Sequence, residues 1–120
     1  MVDQRFPKSC RLLDSKAFEH VFGKPDFRVS NKYFLILGCW TEQEHPRLGI
    51  IVAKKNIARA TQRNRVKRIV REAFRARRAA IGSTDLVVLA RKDLQFLENS
   101  DCQSFIHALM DEIVKKKPSA

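Results

Sequence analysis

The spacing of hydrophobic residues among polar ones predicts a short helix near the start of this chain. Phe18, Val21 and Phe22 recur at the spacing of one helix face, and a Gly-Lys-Pro stretch at residues 23–25 ends the pattern. Residues 1–13 lack such a period, and we expect them to form an irregular basic arm.

Four runs further along are rich in β-branched, aromatic and aliphatic residues, which is typical of β-strands. They span Phe27–Ser30, Tyr33–Trp40, Arg47–Ala53 and Asp85–Arg91. The link between the second and third runs, residues 41–46, is short and polar. We therefore expect those two strands to pair antiparallel.

Two longer helices complete the pattern. The first runs from residue 56 or 57 to residues 78–80, and the second covers Asp101–Lys116, which leaves a flexible tail at residues 117–120. The order αβββαβα predicts an α+β sandwich with a four-stranded mixed sheet and a long basic helix, in a single domain over residues 1–120.

The net charge of the chain, +11, is concentrated in the first of these helices. Residues 54–78 contain eleven Lys and Arg and one acid, Glu72, so they account for +10 of that charge. A basic field confined to so short a stretch attracts a polyanion, and nucleic-acid phosphates are the commonest polyanions in cytoplasm.

At about 100° per residue, the long helix separates an apolar stripe from a basic one. The apolar stripe, expected to face the sheet, contains Val66, Ile69, Val70, Ala73, Phe74 and Ile81. The opposite stripe, here called the basic ridge, contains Asn64, Arg68, Arg71, Arg75 and Arg78, with Arg65 and Lys67 on its flanks and Arg63 toward the buried side. A helix face that is only solvated normally mixes charges of both signs, because like charges four residues apart repel. The single acid among these cations therefore favours a ridge that binds a partner.

The Asn64 amide can read a base edge or bond a neighbouring backbone group, and the sequence favours neither.

Other classes of function find little support. No apolar stretch approaches the ~20 residues that span a bilayer, and the N-terminus lacks the apolar core of a signal peptide, so we expect a cytoplasmic protein. We find no nucleophile–base pair, carboxylate cluster or metal-ligand set, and expect no cofactor or metal bound by a motif.

DNA binding by a recognition helix is disfavoured because a strand precedes the basic helix. Membrane-surface binding is disfavoured because the apolar stripe is needed to cover the sheet.

The spacing of residues along the basic helix resembles the signature of the bacterial ribonuclease P protein subunit. The pattern comprises Lys54-Lys55, Ala60, Arg63-Asn64-Arg65, Lys67-Arg68, Arg71-Glu72 and Phe74. Similarities extend over most of the chain, at Arg11-Leu12, Phe18, Phe22, Arg47-x-Gly49 and Ala90-Arg91-Lys92.

The resemblance implies a fold like domain 2 of ribosomal protein S5, and a part in an RNA-based enzyme that removes the 5′ leader of precursor tRNA. The catalytic RNA and its Mg²⁺ ions would perform the hydrolysis, while the protein, a monomer in a 1:1 complex, would bind RNA without cleaving it. The RNA-binding residues would be Lys54, Lys55, Arg59, Arg63, Asn64, Arg65, Lys67, Arg68, Arg71 and Arg75. The leader would lie in a cleft between the long helix and the sheet, against Arg11, Phe18, Phe22, Tyr33, Arg63 and Lys67.

Two alternatives stay open at this stage. The chain could be a structural RNA-binding protein of the ribosomal type, without a substrate cleft. Phe18 and Phe22 could belong to the core instead of forming a platform on which bases stack, because a Phe pair at i, i+4 on a short helix often packs inward.

Overall fold

The computed structural model of the protein describes residues 15–117 and has the predicted order of elements, with two additional short helices. The helices α1–α4 span Ser15–Gly23, Ala60–Ala76, Arg78–Ile81 and Asn99–Lys116, and the strands β1–β4 span Phe27–Ser30, Phe34–Trp40, Arg47–Ile51 and Thr84–Ala90. A 3₁₀ helix, Lys92–Phe96, joins β4 to α4. The predicted α+β fold is confirmed. The basic arm and the last residues of the tail lie outside the described residues.

The four strands form one mixed sheet in the order β1-β2-β4-β3. β2 is antiparallel to both β1 and β4, and β3 is parallel to β4. The predicted pairing of β2 with β3 is therefore wrong, since β4 lies between them. β4 is apolar and buried along nearly its whole length, which is typical of a central strand covered on both faces.

One face of the sheet is covered by α2 and α4, and is called here the α2–α4 face. Its core joins Phe34 and Leu86 of the sheet to Phe74 of α2 and Met110 of α4, all fully buried. The other face, the α1 face, carries a smaller cluster in which Val21 of α1 is fully buried. The two faces are separate because side chains alternate along each strand.

The long helix α2 is shorter at both ends than its apolar period predicts. It begins at Ala60 because residues 54–56 form a turn, in which the amide of Ile57 donates to the Ala53 carbonyl at 3.0 Å. It ends at Ala76, because Arg77 leaves helical backbone with φ −118° and ψ 12°. The chain then enters α3, which places Ile81 in the core.

Candidate RNA interface

The basic ridge is exposed along α2, opposite a buried apolar stripe. Val66, Ile69, Val70, Ala73 and Phe74 are buried, as their period predicts. On the opposite side the exposed residues are Asn64, Arg68, Arg71 and Arg75. Arg78 is half-buried in α3, because the helix breaks one residue earlier. The ridge therefore extends over about three turns of helix, with nearly every position a cation.

Arg63 holds the chain that leads into α2. Its Nη1 donates to the carbonyl oxygens of Ile57 and Ala58 at 3.0 and 2.7 Å. The N-cap residue Arg59 provides no side-chain cap, and this guanidinium, together with the buried Ile57, holds the entering loop against the helix. Arg63 thus has a structural contact that the sequence did not indicate, and its contact with RNA stays a prediction.

The ends of β3 and β4 bring two pairs of cations to one place. Because these strands are parallel, their C-terminal ends lie at the same edge of the sheet. The Asn56 side chain donates from Nδ2 to the Ala90 carbonyl at 3.3 Å, and so joins the turn after β3 to the end of β4. The turn carries Lys54-Lys55, which are exposed, and β4 is followed by Arg91-Lys92. These four cations are called the basic edge.

A half-buried apolar row crosses the α1 face beside the basic edge. Leu35, Leu89 and Ile51 are register partners on the neighbouring strands β2, β4 and β3. They pack against the smaller core cluster, of which Val21 is the fully buried helix residue. Sequence reasoning missed this apolar row, because it requires the strand order as well as the alternation within each strand.

The residues predicted to hold the leader do not form one group. Phe18 is half-buried against the α1 face, and Phe22, one turn later, is 42 % exposed. Tyr33 instead contacts Phe105 of α4, with ring centroids 4.7 Å apart and the rings tilted by 44°, and packs against the α2–α4 core. Arg11 lies outside the described residues. Phe18 therefore lies against the α1 face, Phe22 follows it on the same helix, and Tyr33 lies on the α2–α4 face.

The space between α2 and the sheet is filled by the core. Val66, Val70 and Phe74 are fully buried there, together with Ile57 from the loop before the helix. Packing of this density does not admit a nucleotide chain. The expected position of the cleft, between the long helix and the sheet, is therefore wrong. On the opposite face of the sheet, the apolar row is partly accessible.

Two arginines of the predicted basic stretch turn toward α4. Arg65 donates from Nη2 to the Leu97 carbonyl at 3.5 Å, while its Nε is buried without a hydrogen-bond partner among residues 15–117. Arg77 donates from Nε to Asp111 at 2.6 Å and also contacts Nδ1 of His107. These contacts tie the N-terminal part of α2 to the segment before α4, and the residue after α2 to α4 itself.

Arg77 also contributes to the lowered pKa of both of its partners. Its hydrogen bond lowers the pKa of Asp111 below the usual value. Burial lowers the pKa of His107, and the charge of Arg77 adds to this effect. A guanidinium has no acceptor, so Nδ1 of His107 must accept the hydrogen bond, which requires the neutral ring.

A buried ion pair fixes β3 against β4. Arg47 donates from Nε and Nη2 to the two carboxylate oxygens of Asp85 at 2.8 and 2.7 Å, and the two residues are register partners. The Asp85 side chain is 7 % exposed. The pair positions β3, and therefore the turn that carries Lys54-Lys55, relative to the rest of the sheet.

Within residues 15–117, no group of three or more His, Cys, Asp or Glu could hold a metal ion, and no helix is long and apolar enough to cross a membrane. Cys39 and Cys102 are buried free thiols. Burial raises the pKa of Cys102 to about 11, although the nearby Arg65 lowers it.

The fold and these surfaces define a class of protein: a small α+β domain that presents an arginine-rich helix to a polyanion and, on the other side of its sheet, an apolar row bordered by cations. A family model described as Ribonuclease P matches residues 6–114. The chain belongs to this family, and the resemblance found in the sequence is confirmed.

Relatives of this chain carry the same name. The ribonuclease P protein component of Pseudomonas paraeruginosa is 38 % identical over 118 residues, which are 98 % of this chain and 87 % of that protein. The component of Chromohalobacter salexigens is 37 % identical over 96 % of this chain and 90 % of its own length.

Solved structures agree with the fold. The RNase P protein of Staphylococcus aureus superposes with a TM-score of 0.80 at 29 % identity, covering 88 % of this chain and 95 % of that one. That of Thermotoga maritima gives 0.71 at 29 % identity, over 91 % and 98 % of the two chains.

Proposed function

We propose that this chain is the protein subunit of a cytoplasmic ribonuclease P holoenzyme that removes the 5′ leader from precursor tRNA. The catalytic RNA, with its Mg²⁺ ions, supplies the hydrolytic chemistry, and the protein supplies binding surfaces. The observation that carries the proposal is the presence of two chemically different surfaces on opposite faces of one sheet. A protein that binds only a structural RNA needs the first of them and not the second.

The basic ridge on α2 is the proposed contact with the catalytic RNA. Arg68 and Arg75 are exposed on it, and guanidinium groups bind phosphates through paired donors. Glu72 is the one acid in α2, so little of the ridge's positive field is neutralised within the helix. A folded RNA that lies along this helix would gain several phosphate contacts and release the corresponding counterions.

The α1 face is the proposed contact with the single-stranded leader. Single-stranded RNA is commonly bound by aromatic or apolar surfaces that accept bases, bordered by cations that accept phosphates. The apolar row and Phe22 supply the first, and the basic edge supplies the second. This arrangement replaces the cleft expected between the long helix and the sheet.

The proposal predicts that the purified chain restores precursor-tRNA cleavage by the cognate catalytic RNA at low Mg²⁺. It also predicts tighter binding of precursor tRNA than of mature tRNA by the reconstituted complex. The comparison of the two substrates isolates the leader, because they share every other contact.

Two outcomes would contradict the proposal in different ways. If the protein binds the catalytic RNA but leaves leader affinity unchanged, the alternative of a structural, ribosomal-type RNA binder is supported. If it does not bind that RNA, the family resemblance does not extend to this partner.

The ridge assignment has its own test, in the salt dependence of RNA binding. Arg68→Ala and Arg75→Ala should each lower the slope of log K against log salt by roughly one unit or less, because each removes one phosphate contact. Arg28→Ala is the matched control, since Arg28 is an exposed arginine on the edge strand β1. Equal slopes for all three variants would contradict the assignment.

A further inference from the structure

Phe96, at the end of the 3₁₀ helix, is the most exposed large apolar side chain in the described part of the protein. Its ring is 78 % exposed, against 42 % for Phe22 and 37 % for Phe105. The segment that carries it is well anchored, because Leu94 is fully buried and Leu97 packs against the α2–α4 core. The amide of Leu97 also donates to the Leu94 carbonyl at 3.1 Å. An exposed ring is thus held on a fixed piece of backbone.

Single exposed apolar residues are common on protein surfaces, so exposure alone does not indicate a binding site. Phe96 differs from such residues because the residue next to it in the chain contacts the RNA-binding helix. Arg65, on the flank of the basic ridge, donates from Nη2 to the carbonyl of Leu97, the residue after Phe96. Consecutive Cα atoms are about 3.8 Å apart. The backbone next to Phe96 is therefore in contact with the flank of the RNA-binding helix.

The charges near Phe96 favour contact with a base over contact with a phosphate. Acids occur on both sides of the ring in the chain, at Asp93, Glu98 and Asp101, whereas the cations Arg91 and Lys92 precede it by four residues or more. Asp93 lies 3.8 Å from the Lys32 ammonium, whereas Glu98 and Asp101 are exposed at the start of α4. Carboxylates repel a phosphate but have little effect on the uncharged face of a base. A strand whose phosphates follow the ridge can turn a base toward the ring.

We propose that Phe96 is a stacking platform for an unpaired base of the RNA subunit. The inference rests on the proposed function, since it requires RNA on the basic ridge. The RNA subunit is preferred to the leader because Leu94 and Leu97 anchor this segment on the α2–α4 side, whereas the apolar row lies on the α1 face, which is covered by the helix that carries Phe22. The platform would fix the position of the RNA at the N-terminal half of α2, next to Arg65.

The test measures the affinity of the full-length protein for the catalytic RNA in four variants at position 96. Phe96→Ala should weaken binding by about 5-fold or more, as for the loss of one stacked base. Phe96→Trp and Phe96→Tyr should retain wild-type affinity, because both keep a flat aromatic face. Phe96→Leu should behave like Phe96→Ala, because it keeps apolar area without that face. Gln95→Ala, in the same 3₁₀ helix, is the matched control, and thermal melting checks that each variant folds.

The outcomes separate this inference from the proposed function. If the wild-type protein does not bind the catalytic RNA, the proposed function fails, and this inference fails with it. If the wild type binds and Phe96→Ala binds equally well, the inference alone is overturned. It is also overturned if Phe96→Leu retains full affinity, if the variants change the oligomeric state, or if Phe96→Ala weakens leader binding in place of RNA-subunit binding.

Discussion

The two faces of the sheet are built from similar apolar strands but are covered by very different lengths of helix. On the α2–α4 face, helices of 17 and 18 residues bury most of their apolar side chains, and Phe105 of α4 is the main exception. On the α1 face, a helix of nine residues leaves the apolar row half-buried. The first face provides stability and places the basic ridge outward. The α1 face is less completely buried, so part of its apolar surface is accessible to a ligand.

The largest expected difference between the faces is in the cost of losing an aromatic ring. Phe74→Ala on the α2–α4 face should lower the free energy of unfolding by about 3–5 kcal/mol, since the ring is fully buried. Phe22→Ala on the α1 face should lower it by about 1 kcal/mol or less, since that ring is largely accessible. Urea denaturation of both variants measures the two values. Equal losses would show that the α1 face is as much a part of the core as the other.

The next effect concerns the ion pair that fixes β3, the strand whose end carries the basic edge. Asp85→Asn should cost about 2–4 kcal/mol, because it leaves the partly buried Arg47 without its counter-charge. Asp111→Asn, which breaks the more exposed pair with Arg77, is the matched control and should cost clearly less. Both can be measured by chemical denaturation. A larger loss for the Asp111 variant would contradict the role assigned to the buried pair.

The smallest expected effect is on the pH dependence of stability at the contact between α2 and α4. The pKa of His107 is lowered in the folded protein, so the unfolded chain binds the proton more tightly. Stability should therefore fall modestly as the pH drops below the ordinary histidine pKa of 6.5 toward the lowered folded value. Asp111, whose pKa is also lowered, should add a loss below its ordinary value of 3.8.

Denaturation midpoints between pH 7 and pH 5 test the first of these windows. His107→Asn is the control, because the amide oxygen can accept the Arg77 hydrogen bond and does not titrate. The variant should show a flatter profile between those two pH values. An identical slope in wild type and variant would assign the pH dependence to other groups.

The sequence predicted the elements of this fold better than their arrangement. Periodicity identified the buried stripe of α2, because burial of a helix face leaves a regular spacing in the chain. It did not place β4 between β2 and β3, since a short polar link is compatible both with a hairpin and with a step over a central strand. The unbroken apolar run of β4 was the available signal, because strands buried on both faces lose their alternation.

The candidate site could likewise be predicted only in part. The basic ridge follows from local spacing, and the exposure of Arg68 and Arg75 agrees with it. The contacts of Arg63, Arg65 and Arg77 depend on which loop or helix lies opposite, and a helix wheel does not contain that information. The apolar row likewise depends on strand order, so it became visible with the sheet.

The central claim is that the two RNA contacts lie on opposite faces of the sheet and act separately. The most direct test measures the affinity for the catalytic RNA and, in the reconstituted complex, for the leader, in Arg68→Ala, Phe22→Ala and the double variant. Arg68→Ala should weaken the first affinity and spare the second. Phe22→Ala should do the reverse, by about 1–3 kcal/mol, and the two effects should add in the double variant. If either substitution weakens both affinities in the same proportion, the two surfaces are one site and the account is contradicted.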